Sequence, residues 1–332
     1  MAAAPPHAAG PPATGGQGRW PPVATRESRL PSLRRSLVQW RDWSLLATVF
    51  TLARPLPFRW LQRLGRGLGR FCWTFMPFRK RVVLDNLTAA FGDELDRAAI
   101  ERLGRAFYAQ LGTTLLEFCG YWRLGRERVR EVVEIEGREH LDAALAGGKG
   151  ALMVSAHFGN WELLGAWVAT EVQPVRFLVK TQSNQRVDRL QNQLRARAGV
   201  GVIRAGPSVK EMIRTLREGG VVGLLGDQDG GPGGLFLPFL GRPASVFRGT
   251  GQLAWRLGCP VITGFLVRQE DGRHRLVAQP PLVIDPAWDE ETAVARITAE
   301  YTQRVEAMVR RYPDHYFWVH RRWKTRPTEE TP

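Results

Sequence analysis

The sequence predicts an α/β domain with a largely parallel central sheet flanked by helices, preceded by an amphipathic helical segment that associates with membranes. Three observations predict it. From residue 150 onward, short apolar runs alternate with longer polar stretches of helical period, the pattern of strand–helix units that build parallel sheets. One of these runs, 151–155, passes through a Gly-Asn turn directly into an apolar segment that can continue as a helix. The stretch 43–84, just before the α/β region, carries eight basic residues and no acidic one.

In chain order, residues 1–35 are rich in Ala, Pro and Gly without apolar periodicity, and read as a disordered tail that lacks the apolar stretch of a secretory signal. Residues 36–84 form the membrane-associating segment. Its apolar run from Trp43 to Ala53 is too short to span a bilayer and is followed by Pro55 and Pro57. Arg59, Arg63, Arg66 and Arg70 then recur at helical spacing, as do Leu61, Leu64, Leu68, Phe71 and Phe75. At about 100° per residue the two sets occupy opposite faces, as in helices that lie on anionic lipid. The competing reading is a surface helix whose Leu/Phe stripe packs on the core. Gly65, Gly67 and Gly69 weaken it as an isolated helix.

Residues 85–328 form the α/β domain. Apolar residues at helical intervals place helices over 95–121 and 126–132. Strands are expected at 151–155, 175–179, 221–225, 261–267 and 275–278, and helices at 161–170, 185–198, 208–218, 249–257 and 291–311.

The most informative residues are His157-Phe158-Gly159-Asn160-Trp161-Glu162. Asn160 reads as the N-cap of the following helix. A histidine thus leaves the carboxyl end of a strand, where open α/β sheets bind ligands, and a carboxylate sits in the first helical turn. His157 is a candidate general base, with Glu162 as the carboxylate that fixes its tautomer. Such a pair suits direct transfer of an acyl group to an alcohol. Neither a GxSxG nor a Cys-His pattern supports a covalent acyl-enzyme. Asp227-Gln228-Asp229 follows the apolar run 221–225 and so reaches the same edge of the sheet. These aspartates are open to binding a metal, pairing with Arg195, or capping the glycine-rich loop 230–234; acyl transfer from a thioester needs no metal. Arg195 is open to binding a phosphate, stabilising an oxyanion, or a structural ion pair. The cluster His320-Arg321-Arg322-Trp323-Lys324 reads either as a contact for an anionic group or as a solvated tail.

Composition narrows the partners. The 332-residue chain carries a net charge of +15 and twelve tryptophans, which calls for an anionic partner and suits a membrane interface. A basic nucleic-acid-binding protein is the alternative of a different class, but no zinc-finger spacing, RNP-type motif or KH loop is present and the charge lies beside apolar, Trp-rich segments. The three cysteines stand apart without a CxxC pair, excluding a disulfide framework or zinc knuckle and reading as reduced thiols.

The segment Ala151-Leu152-Met153-Val154-Ser155-Ala156-His157-Phe158-Gly159-Asn160-Trp161-Glu162 resembles the H-x4-D/E signature of the glycerolipid acyltransferase superfamily, and specifically the bacterial lipid A biosynthesis lauroyl/myristoyl acyltransferases. The resemblance covers about residues 40–328. It extends over Arg81, Asn86-Leu87, Ala90-Phe91, Glu117, Trp122, Lys180, Asn184, 195–199, 226–229, 237–244 and 318–327. In this family the base falls on His157, its partner on Glu162, an important arginine on Arg195 and an important aspartate on Asp227. The chain departs from the family at Ala90-Phe91-Gly92, where Phe-Pro is usual, and in the tail before residue 36.

The resemblance implies a glycerolipid acyltransferase-like fold and late acylation of a lipid A precursor at the cytoplasmic face of the inner membrane. Acyl-acyl carrier protein or acyl-CoA serves as co-substrate, with no cofactor. A phosphatidylinositol mannoside or another glycolipid or lysophospholipid is the alternative acceptor. A catalytically inactive adaptor on the same scaffold is disfavoured by the intact His157/Glu162 pair.

Overall fold

Runs such as Val221-Val222-Gly223-Leu224-Leu225 are apolar on both sides of the chain, and a strand of that kind must be covered on both faces. A computed structural model describes residues 32–76, 78–172, 174–205 and 209–327. In chain order the elements are α1 Ser32–Ala53, α2 Phe58–Phe75, α3 Lys80–Phe91, α4 Arg97–Cys119, α5 Arg126–Val132, β1 Val133–Glu136, α6 Arg138–Leu145, β2 Ala151–Ser155, α7 Trp161–Glu171, β3 Val175–Val179, α8 Gln185–Arg197, β4 Gly201–Arg204, α9 Val209–Arg217, β5 Val221–Leu225, β6 Leu235–Phe239, β7 Arg242–Val246, α10 Gly249–Leu257, β8 Val261–Arg268, β9 His274–Ala278 and α11 Glu290–Arg311. Residues 1–31 of the expected tail lie outside the described residues, and α1 begins at Ser32.

Seven strands form the central sheet in the order β1-β9-β8-β2-β5-β3-β4. All neighbours are parallel except β8 and β9, which form an antiparallel pair. The expected α/β architecture with a mostly parallel sheet is therefore present. β2 is buried along its whole length at the middle of the sheet. Its carboxyl end and that of its neighbour β5 deliver His157 and Asp227 to one edge. The hairpin β6–β7 forms a separate two-stranded sheet.

The N-terminal helices correct one expectation and sharpen another. Among the described residues no helix is long and apolar enough to cross a membrane. In α2 the buried residues are Leu61, Gln62, Gly65, Gly69 and Trp73. A Cβ at Gly69 would stand 1.9 Å from the Tyr108 carbonyl oxygen, and one at Gly65 would stand 2.6 Å from that of Gly112. The glycines therefore let the backbones of α2 and α4 meet, an approach only small residues permit. Of the Leu/Phe stripe only Leu61 is buried, whereas Leu64, Leu68, Phe71 and Phe75 remain exposed. The stripe does not pack on the core. A third, glycine-bearing face does.

Candidate active site

The turn between β2 and α7 is built by backbone constraints. Gly159 adopts φ +55°, and a Cβ there would lie 1.8 Å from the Leu266 carbonyl oxygen, so only glycine fits. Its N–H donates to the His315 carbonyl at 2.8 Å, and its carbonyl accepts from Thr114 Oγ1 at 3.1 Å. Asn160 caps α7 as expected, accepting from the Leu163 N–H at 3.0 Å. The same Oδ1 accepts from the Tyr121 hydroxyl at 3.0 Å, and Nδ2 donates to Glu117 Oε2 at 2.7 Å. Phe317 N–H donates to the His157 carbonyl at 3.0 Å. The C-terminal segment thus clamps the turn from outside the sheet.

His157 projects from this turn with its side chain 22% exposed, stacked on Phe317 at 5.6 Å and edge-on to Trp161 at 5.3 Å. Nδ1 lies 2.9 Å from Asp227 Oδ1. Burial opposes ionisation of Asp227, but His157 beside it outweighs burial and holds the carboxyl below its usual range. An ionised carboxylate only accepts, so Nδ1 donates to it; in the neutral ring this is the tautomer that leaves the lone pair on Nε2. Gln228 Nε2 stands 3.4 Å from that Nε2. Tyr316 fixes the Asp227 backbone by donating its hydroxyl to the carbonyl at 3.1 Å.

The carboxylate on the imidazole is thus Asp227 and not Glu162, which corrects the pairing expected from the H-x4-E spacing. Glu162 forms a two-pronged ion pair with Arg195, whose Nε donates to Oε2 at 2.9 Å and whose Nη2 donates to Oε1. Burial would lower the Arg195 guanidinium, but Glu162 outweighs it and raises the group above its ordinary value. Arg195 Nη1 also donates to Asn192 Oδ1 at 2.9 Å. The ion-pair reading of Arg195 therefore holds, with Glu162 and not Asp227 as the partner. His157, Glu162, Arg195 and Gln228 all line one cavity of about 410 Å³, which also takes in the apolar Met153, Leu164 and Phe177.

The remaining candidates are more structural than expected. Asp229 caps the glycine-rich loop by accepting from the Gly231 N–H at 3.1 Å and also takes the Thr325 N–H at 3.1 Å. Among the described residues no group of three or more His, Cys, Asp or Glu side chains is placed to hold a metal ion. In the C-terminal cluster Arg322 is buried and donates to the Ser245 carbonyl at 2.8 Å. His320 accepts from the Asp229 N–H at 3.2 Å, and burial pushes its imidazole down to about 4. The cluster is therefore a folded strap beside the site rather than a solvated tail, with Arg321 and Lys324 exposed.

Sequence reasoning missed the roles of Phe317, Tyr316 and Gln228 around the histidine. Their positions, next to the cluster at 320–324 and inside the 227–229 run, were the available signal.

Comparison with known proteins bears on the family of the chain. The model of the bacterial lipid A biosynthesis acyltransferase family matches residues 29–325. The chain is 30% identical over 305 residues to a lipid A biosynthesis lauroyltransferase of Escherichia coli K12, covering 90% of this chain and 97% of that protein. It is 28% identical to a lipid A biosynthesis palmitoleoyltransferase of the same organism, covering 88% and 94%. A phosphatidylinositol mannoside acyltransferase of Mycobacterium tuberculosis is 27% identical over 178 residues, covering 52% of this chain and 54% of that protein.

Proposed function

Because the chain belongs to the bacterial lipid A biosynthesis acyltransferase family, we propose that it transfers a fatty acyl chain from a thioester to a hydroxyl of a lipid A precursor, with His157 as general base. The observation that carries this reading is the hydrogen bond between His157 Nδ1 and the buried Asp227 at the cavity, which in the neutral ring directs the lone pair to Nε2. The acceptor hydroxyl gives its proton to Nε2 as its oxygen attacks the thioester carbonyl carbon. The tetrahedral oxyanion collapses, the C–S bond breaks, and the departing sulfur takes the proton back from the imidazolium. Asp227 stabilises the positive ring formed between the two steps.

Acyl-acyl carrier protein and acyl-CoA both satisfy this chemistry as donors. A lipid A precursor is the acceptor of choice because the lipid A relatives match 88–90% of the chain, whereas the mannoside relatives match 52–63% of it. The test is transfer by purified protein from an acyl thioester to a lipid A precursor, followed by mass spectrometry. His157→Ala is expected to abolish the product while the circular dichroism spectrum stays unchanged. Near-wild-type turnover in that variant removes the mechanism.

We also propose that α2 lies on the cytoplasmic face of the inner membrane. The exposed Leu64, Leu68, Phe71 and Phe75, beside the exposed row Arg59, Arg63, Arg66 and Arg70, suit an apolar boundary under an anionic headgroup layer. Each large apolar side chain taken from water contributes about 1.5–3 kcal/mol. Replacing Leu64, Phe71 and Phe75 together by serine is therefore expected to weaken binding to vesicles of anionic phospholipid by at least about tenfold. Sedimentation with such vesicles measures this, and undiminished binding refutes it.

A further inference from the structure

Three adjacent strands bring Met153, Gly223 and Phe177 into one transverse row. Met153 pairs with Gly223 across β2 and β5, and Phe177 pairs with Gly223 across β3 and β5. All three line the cavity. Alternation along the strands places Ser155 and Leu225 in the next row on the same face, toward the catalytic edge, and both line the cavity as well. Met153 lies two residues before the end of β2 at Ser155, and His157 two residues past that end. The row is therefore the end of the cavity remote from the base.

The middle of that row has no side chain, and Phe177 occupies the space. A Cβ at Gly223 would stand 2.5 Å from Cδ1 and Cε1 of the Phe177 ring. A Cβ at Gly165, on α7 across the cavity from the sheet, would stand 2.2 Å from its Cζ. The ring thus lies over one glycine and abuts another, bridging sheet and helix. We propose that Phe177 closes the inner end of the acyl cavity and sets the length of the chain transferred, with Gly165 and Gly223 as the seats that let the ring retract. This rests on the acyl-transfer reading above. It assigns the specificity of that site to one side chain whose position can be moved in both directions.

The experiment uses the full chain, a lipid A precursor and an equimolar mixture of saturated acyl thioesters from decanoyl to stearoyl, with products read by mass spectrometry. Phe177→Ala deepens the cavity and is expected to favour longer chains. Gly223→Ala and Gly165→Ala push the ring into the cavity and are expected to favour shorter ones. A methylene that fits or fails to fit an apolar pocket discriminates by roughly tenfold or more, so the ratio of neighbouring chain lengths should change by at least that factor, in opposite directions. Where Phe177→Ala does not fold, Phe177→Leu replaces it.

Folded variants that all keep the wild-type chain profile overturn the proposal. If the wild-type protein transfers no acyl group, it is the acyl-transfer reading that fails. The same series is then read as direct calorimetric binding of fatty acids of graded length. The opposite shifts are still expected there, and an unchanged order of affinities overturns the assignment to Phe177.

Discussion

Replacing Asp227 by asparagine is expected to lower kcat for acyl transfer by about 10²- to 10⁴-fold, with little change in KM. The side chain is 2% exposed and its carboxylate oxygen lies 2.9 Å from His157 Nδ1. Asparagine fills the same volume but carries an amide that can donate to Nδ1. The ring proton is then driven to Nε2, and the lone pair that must take the acceptor's proton is lost. The positive charge that develops on the ring also loses its counterion in a buried setting. Glu162→Gln is expected to behave differently. It breaks the two-pronged pair with Arg195 in the cavity wall and leaves a largely buried guanidinium without its carboxylate. The cost should fall mainly on KM. Single-turnover rates and KM for the two purified variants separate these outcomes. A larger loss of kcat in Glu162→Gln than in Asp227→Asn overturns the assignment of Asp227 as the group that orients the base.

That pairing marks where the sequence stops being informative. Apolar strands covered on both faces were legible, and β2, β3, β5, β8 and β9 fall at or within a residue of their expected positions. Within the seven-stranded sheet the two strands not anticipated, β1 and β4, are its outer edges. Each is four residues long, and Val133-Glu134-Ile135-Glu136 alternates apolar with acidic residues, so neither offers a long apolar run. The hairpin β6–β7 was hidden by Pro238 and Pro243, which ordinarily argue against a strand. These prolines face each other across the pair, and the turn is made by Leu240 and Gly241, both at positive φ. The antiparallel β8–β9 pair follows from the short turn between them, too short for a crossover.

At the site, local spacing identified the histidine, the cap and the helix. The contact that defines the base spans seventy residues. Two carboxylates were placed at one sheet edge, and only the fold decides which of them meets the imidazole. The glycines of α2 read as helix-weakening until α4 is seen lying against them.

The largest loss of stability is expected from Glu117. Its side chain is fully buried, as is that of Arg268, which donates to both carboxylate oxygens. Gln62 of α2 donates to Oε1 at 2.7 Å, Asn160 of the catalytic turn donates to Oε2 at 2.7 Å, and His274 of β9 stands 3.5 Å away. Burial by itself would raise the Glu117 carboxyl, but Arg268 and His274 outweigh it and hold the group well below the usual carboxylate range. One ion pair thus ties together α2, α4, the turn bearing His157, and the last strands of the sheet. Glu117→Leu leaves the Arg268 charge buried without a counterion, a change that typically costs about 3–5 kcal/mol. Arg268 also donates to Thr114 Oγ1 at 2.9 Å and to Gln110, and those neutral partners do not compensate the charge. Glu117→Leu combined with Arg268→Leu should recover part of the loss, because the penalty comes from the stranded charge.

The sign of the pH dependence follows from the depressed carboxyl. Its contribution is present above the unfolded carboxylate range and is lost as pH falls through that range toward the folded value. Urea unfolding at neutral pH and near pH 4 measures both effects: the single variant should be weakened most at neutral pH, and its difference from wild type should shrink in acid. A Glu117→Leu protein that unfolds at the wild-type urea concentration at neutral pH refutes the role given to the pair. The same variant frees Asn160 Nδ2 and loosens the turn that carries His157, so activity should fall before the fold does as urea is raised.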